Sequence, residues 1–252
     1  MANPSTRGIG WNAAVIWRLA FTVVSIVVVE AIVCGVAVLP VVLFWIDFTA
    51  WTTLNPVGRA ALYSVLIVPS YVAFALCLMV TSPLATWVTG ARTPHNAEMR
   101  IADMGWPLMR WARYMVASHL VRLLAGSLFR GSPFWTAYLR LNGARIGRGV
   151  YINSLFVSDH NLLEIGDDVV IGSEVHMSGH TVEAGVVKTA PVRLGREVTI
   201  GLGSVIDIGV TVGARSQVGA LSLVPKYTTL DADAVYAGIP VRRIDSHPTI
   251  AT

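Results

Sequence analysis

Residues 194–225, LGREVTIGLGSVIDIGVTVGARSQVGALSLVP, carry one pattern six times in succession. Each unit opens on an aliphatic residue followed by Gly, Asp or Pro: Leu194-Gly195, Ile200-Gly201, Ile206-Asp207, Val212-Gly213, Val218-Gly219 and Val224-Pro225. Val or Ser recurs four places after the opener, at Val198, Ser204, Val210, Ser216 and Ser222. A fixed six-residue period reads as short strands separated by corners, with the opener pointing into a prism. The residue after it is expected to turn the chain where a left-handed φ favours glycine. One coil cannot bury its inward face alone, so coils stack and each satisfies the strand edges of the one before. The fold this predicts is a parallel β-helix.

Upstream the same period appears at Ile146-Gly147 and Ile152-Asn153, then at Ile165-Gly166, Ile171-Gly172 and Met177-Ser178. It breaks twice. Thirteen residues separate Ile152 from Ile165, one more than two units, which places a bulge near Ser158–Asn161. Seventeen separate Met177 from Leu194 through SGHTVEAGVVKTAPVR, enough to extrude a loop. Loops held by a rigid scaffold are where chemistry concentrates. The first interruption holds Asp159 and His160, the second His180 and Glu183. A neutral imidazole, with an ordinary pKa near 6.5, can take a proton from an attacking hydroxyl or amine.

The N-terminal half has a different composition. The 252-residue chain is 54% hydrophobic and 13% charged. Residues 1–130 hold nine Arg, no Lys and four acids, whereas residues 131–252 carry a net charge of −1. Leu19 to Ile46 and Ala60 to Val88 are almost wholly apolar runs, long enough to cross a hydrocarbon core of about 30 Å. Pro69 and Pro83 are tolerable in such a helix. Trp11, Trp17, Trp45, Trp51 and Trp87 gather near the ends of the runs, as an interfacial belt does. The first run is too long for a signal peptide's apolar core. Arg7 and Arg18 precede it and six Arg follow the second, so the positive-inside rule puts both termini and the β-helix on the cytoplasmic side, with residues 47–59 outside. The basic excess therefore reads as membrane topology and excludes nucleic acid as a partner. Residues 106–130 mix Trp, Leu and Met with Arg110, Arg113 and Arg122, which fits a helix in the lipid interface or a collar packed on the next domain. Glu30, inside the first run, is a functional candidate or a polar contact whose partner the sequence does not name. Cys34 and Cys77 sit in apolar runs and form no disulfide framework. The expected organisation is a two-span region (1–90), an amphipathic linker (91–145), the β-helix (146–244) and a tail (245–252).

The stretch from Ile165 to Lys226, with YAGIPVRRI at 236–244, resembles the hexapeptide-repeat acyltransferases related to galactoside and maltose acetyltransferases. The H-x-x-E of His180–Glu183, Lys188 before Pro191 and the segment Gly219–Lys226 resemble more closely still the membrane-bound acyltransferase-like modules of ε-poly-lysine synthetase-type peptide synthetases. The catalytic loop is about two residues shorter than in the sugar enzymes, so their acceptor pocket does not transfer whole. The resemblance implies a left-handed coil, against the usual right-handed crossover, a homotrimer with sites between subunits, and acyl transfer from acyl-CoA, most simply acetyl-CoA, without a metal.

Carried onto this sequence, it implies His180 as general base, with backbone N–H groups of a coil stabilising the oxyanion. Glu183 would orient the ring or grip the acceptor, or else be a solvated loop carboxylate. Asp159, His160 and Asn153 are candidates for acceptor binding. Ala220, Ser222, Lys226, Arg242 and Arg243 are candidates for holding the donor, the arginines through its phosphates. Three functions remain open at this point. The first is acyl-CoA-dependent O- or N-acylation of a membrane-proximal acceptor. The second is amide-bond formation from a carrier-protein thioester, and the third is a non-catalytic tethered β-helix.

Overall fold

The computed structural model describes residues 10–51 and 53–244; the expected tail, 245–252, lies outside them. Two long helices come first, α1 (Ala13–Trp51) and α2 (Pro56–Thr89). The start of α2 is fixed locally. Asn55 accepts the Gly58 N–H at 2.8 Å, and Pro56 fills the first turn, where no N–H is needed. Its end is fixed by Gly90, whose φ of 65° is the left-handed cap that stops a helix. The helices fold back on each other: Trp45 packs edge-on against Tyr63 and donates to the Ser70 hydroxyl at 3.1 Å. Both are long and apolar enough to cross a membrane, and most of their aliphatic side chains are exposed.

The linker forms a collar. Helix α3 (Trp106–Val121) runs through a π-turn at Arg122–Gly126 into one further turn, α4 (Ser127–Phe129). Helix α5 (Pro133–Leu141) follows, capped by Ser132 with proline in its first turn. The collar buries Val121, Ala125, Phe129, Trp135, Tyr138 and Leu139 between Ala75, Leu78 and Met79 of α2 and the interior of the prism. One continuous core therefore joins the hairpin to the β-helix.

The prism has three parallel sheets. The first contains Tyr151–Ile152, Val170–Ile171, Thr199–Ile200, Gln217–Val218 and Val235–Ala237, closed by antiparallel Arg242–Ile244. The second contains His176–Met177, Val205–Ile206 and Leu223–Val224. The third contains Arg145–Ile146, Leu163–Ile165, Val192–Leu194, Thr211–Val212 and Thr229–Leu230. The openers stack in register, Ile171 beneath Ile200 beneath Val218, and all three are buried. Val198, Ser204, Val210, Ser216 and Ser222 are a second set of buried inward positions, Val198 stacking on Ser216 and Ser204 on Ser222.

The reason for the glycines differs from the expectation. The second-position glycines of the long run do not have a left-handed φ; that conformation falls two residues later, at Glu197, Gly203, Gly209, Arg215, Leu221 and Tyr227. There the turned N–H reaches the preceding coil, as Glu197 does to the Asp167 carbonyl at 2.7 Å and Arg215 to the Arg196 carbonyl at 2.8 Å. The second position needs glycine for space. A Cβ on Gly201 would lie 2.4 Å from the Ala220 nitrogen, and one on Gly213 would lie 2.3 Å from the Ala232 nitrogen.

Candidate active site

Both interruptions of the repeat converge. In the first, Asp159 takes a left-handed φ of 52° and starts a short 3-10 turn, His160–Leu162. The second is a hairpin: His180–Glu183 pairs antiparallel with Val186–Thr189 across a two-residue turn, Ala184-Gly185, both with positive φ. That turn suits the right-handed twist of a hairpin. A third strand, Glu98–Arg100 of the linker, pairs with Val186–Lys188 along the hairpin's other edge. Gly179 allows the two interruptions to meet, because a Cβ there would stand 2.9 Å from the Asp159 Cβ.

The result is a buried carboxylate against an imidazole. The His180 Nδ1 lies 2.5 Å from Asp159 Oδ2, with the carboxylate side chain fully buried and the ring side chain 20% exposed. Four other donors reach the same carboxylate. Thr93 Oγ1 lies at 2.6 Å and Trp111 Nε1 at 3.3 Å from Oδ1, and Ser158 Oγ at 3.2 Å and Ser178 Oγ at 3.3 Å from Oδ2. Trp111 also meets the His180 ring edge-on, centroids 5.0 Å apart. Burial alone pushes the Asp159 carboxyl up. The hydrogen bond and charge of His180, with the Thr93 and Ser158 hydroxyls, outweigh it and hold the carboxyl below its ordinary value. An ionised carboxylate can only accept, so in the neutral form of the ring the single proton belongs on Nδ1 and Nε2 keeps its lone pair.

Other expected site residues fall elsewhere. Glu183 lies three residues along the strand from His180, roughly 10 Å at strand rise, and its carboxylate pairs with Lys226 at the hairpin tip. Among the described residues the Glu183 carboxylate makes no hydrogen bond to the imidazole, whose Nδ1 faces Asp159 instead. His160 lies in the interior beside the pair. It is 2% exposed, boxed edge-on by Tyr114 and Tyr138, with its Nε2 3.0 Å from the Val157 carbonyl oxygen. Burial holds it neutral, its pKa pulled down to about 4. Asn153 stands beside Gly131, and among the described residues no hydrogen bond joins its side chain to Asp159 or His180.

Among the residues expected to hold the donor, Ser222 is buried facing inward and accepts the Gly238 N–H at 3.1 Å. Ala220 is exposed on its coil, and Lys226 reaches back to the hairpin. Arg242 and Arg243 project from the final strand, Arg243 lying 3.7 Å from Asp231. Glu30 lines a small cavity with Ser25, Thr86, Thr89 and Arg113, between α1, α2 and α3. Among the described residues no group of three His, Cys, Asp or Glu side chains is placed to hold a metal ion.

The coil register and the two convergent interruptions define a hexapeptide-repeat β-helix with an Asp–His site. No family model matches the chain. It is 38% identical over 107 residues to galactoside O-acetyltransferase of Escherichia coli K12, covering 39% of this chain and 52% of that one. It is 25% identical over 179 residues to delta-poly-L-ornithine synthetase of Acinetobacter baumannii AB307-0294, covering 70% of this chain and 13% of that one. The chain thus spans about half of one relative's length and a small part of the other's. Among solved structures it is similar to a hexapeptide-repeat-containing acetyltransferase of Vibrio cholerae, with a TM-score of 0.41 and 25% identity, covering 51% of this chain and 92% of that one. It is also similar to a galactoside acetyltransferase in complex with coenzyme A, with a TM-score of 0.36 and 26% identity, covering 44% and 68%. Of these relatives and neighbours, all but the poly-ornithine synthetase carry acetyltransferase in their names.

Proposed function

We propose that this chain is a membrane-anchored acyltransferase that moves an acyl group from acyl-CoA to a hydroxyl or amine, with His180 as general base. The observation that carries this reading is the buried Asp159–His180 pair, 2.5 Å apart, with its ring partly open to solvent. Asp159 accepts the Nδ1 proton and fixes the ring, leaving Nε2 to take the acceptor's proton as its oxygen or nitrogen attacks the thioester carbonyl. The tetrahedral oxyanion collapses, the C–S bond breaks, and the imidazolium returns the proton to the departing thiolate. No covalent enzyme intermediate is required. Exposed Ala220 and Arg242, with Arg243 beside Asp231, remain the proposed donor contacts on the last coils. In a homotrimer they would face a neighbouring subunit's site.

The two long apolar helices support a membrane hairpin by length and composition, and the arginines around them support a cytoplasmic β-helix. The acceptor would then be a membrane-proximal glycan, lipid or amine. The proposed organisation keeps the four segments expected from sequence: hairpin, collar, prism and tail. A second reading is favoured by the match covering 70% of this chain to a poly-ornithine synthetase. On it, the donor is an aminoacyl thioester on a carrier protein and the product is an amide. The test is thiol release by the detergent-solubilised full chain, offered acetyl-CoA or a loaded carrier protein with hydroxyl and amine acceptors. Acetyl-CoA turnover supports the first reading, turnover of the loaded carrier alone the second, and turnover of neither overturns both.

A further inference from the structure

We infer that the segment joining the helical hairpin to the prism belongs to the catalytic centre: Thr93 and Trp111 are positioning residues that hold Asp159, and through it His180. This rests on His180 being the base. The Asp159 carboxylate straddles two parts of the chain. Its Oδ2 takes Ser158, Ser178 and His180, all from the prism and its interruptions, whereas Oδ1 takes Thr93 at 2.6 Å and Trp111 at 3.3 Å, both from the linker. With the linker docked the carboxylate is fully buried, and Oδ1 is satisfied by the linker's donors alone; a buried charge lacking such hydrogen bonds is costly.

The linker is fastened where those donors are needed. Thr93, four residues past the end of α2, is fully buried. The Asn161 side chain grips its backbone from both sides, accepting the Thr93 N–H at 3.2 Å and donating to the Thr93 carbonyl at 2.8 Å. The catalytic hairpin is tied to the same segment: the Thr189 hydroxyl donates to the Pro94 carbonyl at 2.7 Å and accepts the Ala97 N–H at 3.0 Å. Both members of the Asp159–His180 pair thus depend on residues that follow the hairpin directly, and the site is complete only with the linker docked.

The consequence is a shift in titration. Removing a donor from Oδ1 destabilises the state with a bare carboxylate and neutral ring more than the state with a protonated ring. The pair then holds its proton to higher pH. The other titratable groups facing the pair are Tyr114 and His160 beneath the bulge and His176 on the neighbouring strand, and none of them is altered.

The experiment is the pH dependence of kcat/KM for the full-length protein carrying Thr93→Val, Thr93→Ser or Trp111→Phe. Thr93→Val should move the acid limb upward by about one pH unit, which is the loss of one charge-assisted hydrogen bond in part, while keeping the alkaline plateau. Trp111→Phe should move it the same way by less, and Thr93→Ser should titrate like the wild type. A lowered plateau with an unmoved limb in Thr93→Val and Trp111→Phe would overturn the inference. If Thr93→Val does not assemble, Trp111→Phe decides alone. His180→Ala separates the failures: full activity there removes the base itself, whereas an inactive His180→Ala beside an unshifted Thr93→Val removes only the linker's role.

Discussion

Replacing Asp159 by Asn changes one atom and should cost about 10³- to 10⁴-fold in kcat/KM, equivalent to about 4–5.5 kcal/mol. The size follows from which way the new amide must point. Trp111 Nε1 can only donate, and it lies 3.3 Å from Oδ1. The amide oxygen must therefore occupy the Oδ1 position, which puts the amide NH2 where Oδ2 stood, 2.5 Å from His180 Nδ1. The serine hydroxyls on that side can rotate to accept, but Nδ1 must now accept as well. Its proton moves to Nε2, and the base loses the lone pair it uses. Stability should fall as well, because a carboxyl held below its ordinary value is one the fold stabilises in its charged form, so the two losses are measured separately. The assay is kcat/KM for thioester turnover with thermal unfolding as control. The orientation argument also makes a second demand. In Asp159→Asn combined with Trp111→Phe the amide is free to flip, and at least tenfold of the loss should return. An Asp159→Asn variant within tenfold of wild type, or a double variant no better than the single, would refute the reasoning.

His160, neutral in the fold with its pKa pulled down to about 4, binds fewer protons than its unfolded form between pH 6.5 and about 4. Stability it contributes is present above pH 6.5 and is lost as pH falls toward 4, by an amount on the order of 3 kcal/mol; chemical denaturation at pH 7 and pH 5 should show this slope, and His160→Phe should flatten it. Glu183→Gln breaks an exposed pair with Lys226 and should leave kcat within about threefold, because such pairs contribute at most about 1 kcal/mol; a hundredfold loss would restore Glu183 as the residue that orients the ring. Gly179→Ala places a Cβ 2.9 Å from that of Asp159, and by overpacking should lower stability by about 1–3 kcal/mol and activity with it, as melting and turnover will read.

The prism was legible because its period is local: a register of openers from Leu194 to Val224 needs no knowledge of the rest of the chain. The inward position of Ser222 is legible too, since it occupies the place in its unit that Val198 and Val210 occupy in theirs. Likewise the catalytic insertion carries a hairpin signal, Val- and Thr-rich stretches flanking Ala184-Gly185, where a plain loop was expected. The closeness of Asp159 to His180 is legible, since the first interruption lies one coil before the second. Their hydrogen bond is not, because which side chain of each interruption turns toward the other is decided by packing. Thr93 and Trp111 lie still further away in sequence, in a linker without period, and their contribution exists only once the collar packs on the prism. Glycine shows the limit differently: the residue type was read correctly and its cause was not, because close approach between coils is a property of the stack.

The most direct test of the central claim is acyl-thioester turnover by the full-length protein and by His180→Ala, with the oligomer and thermal stability of both measured in parallel. The account predicts a loss of at least a hundredfold in kcat/KM with assembly and melting unchanged. Turnover within threefold of wild type in an intact His180→Ala protein would contradict it.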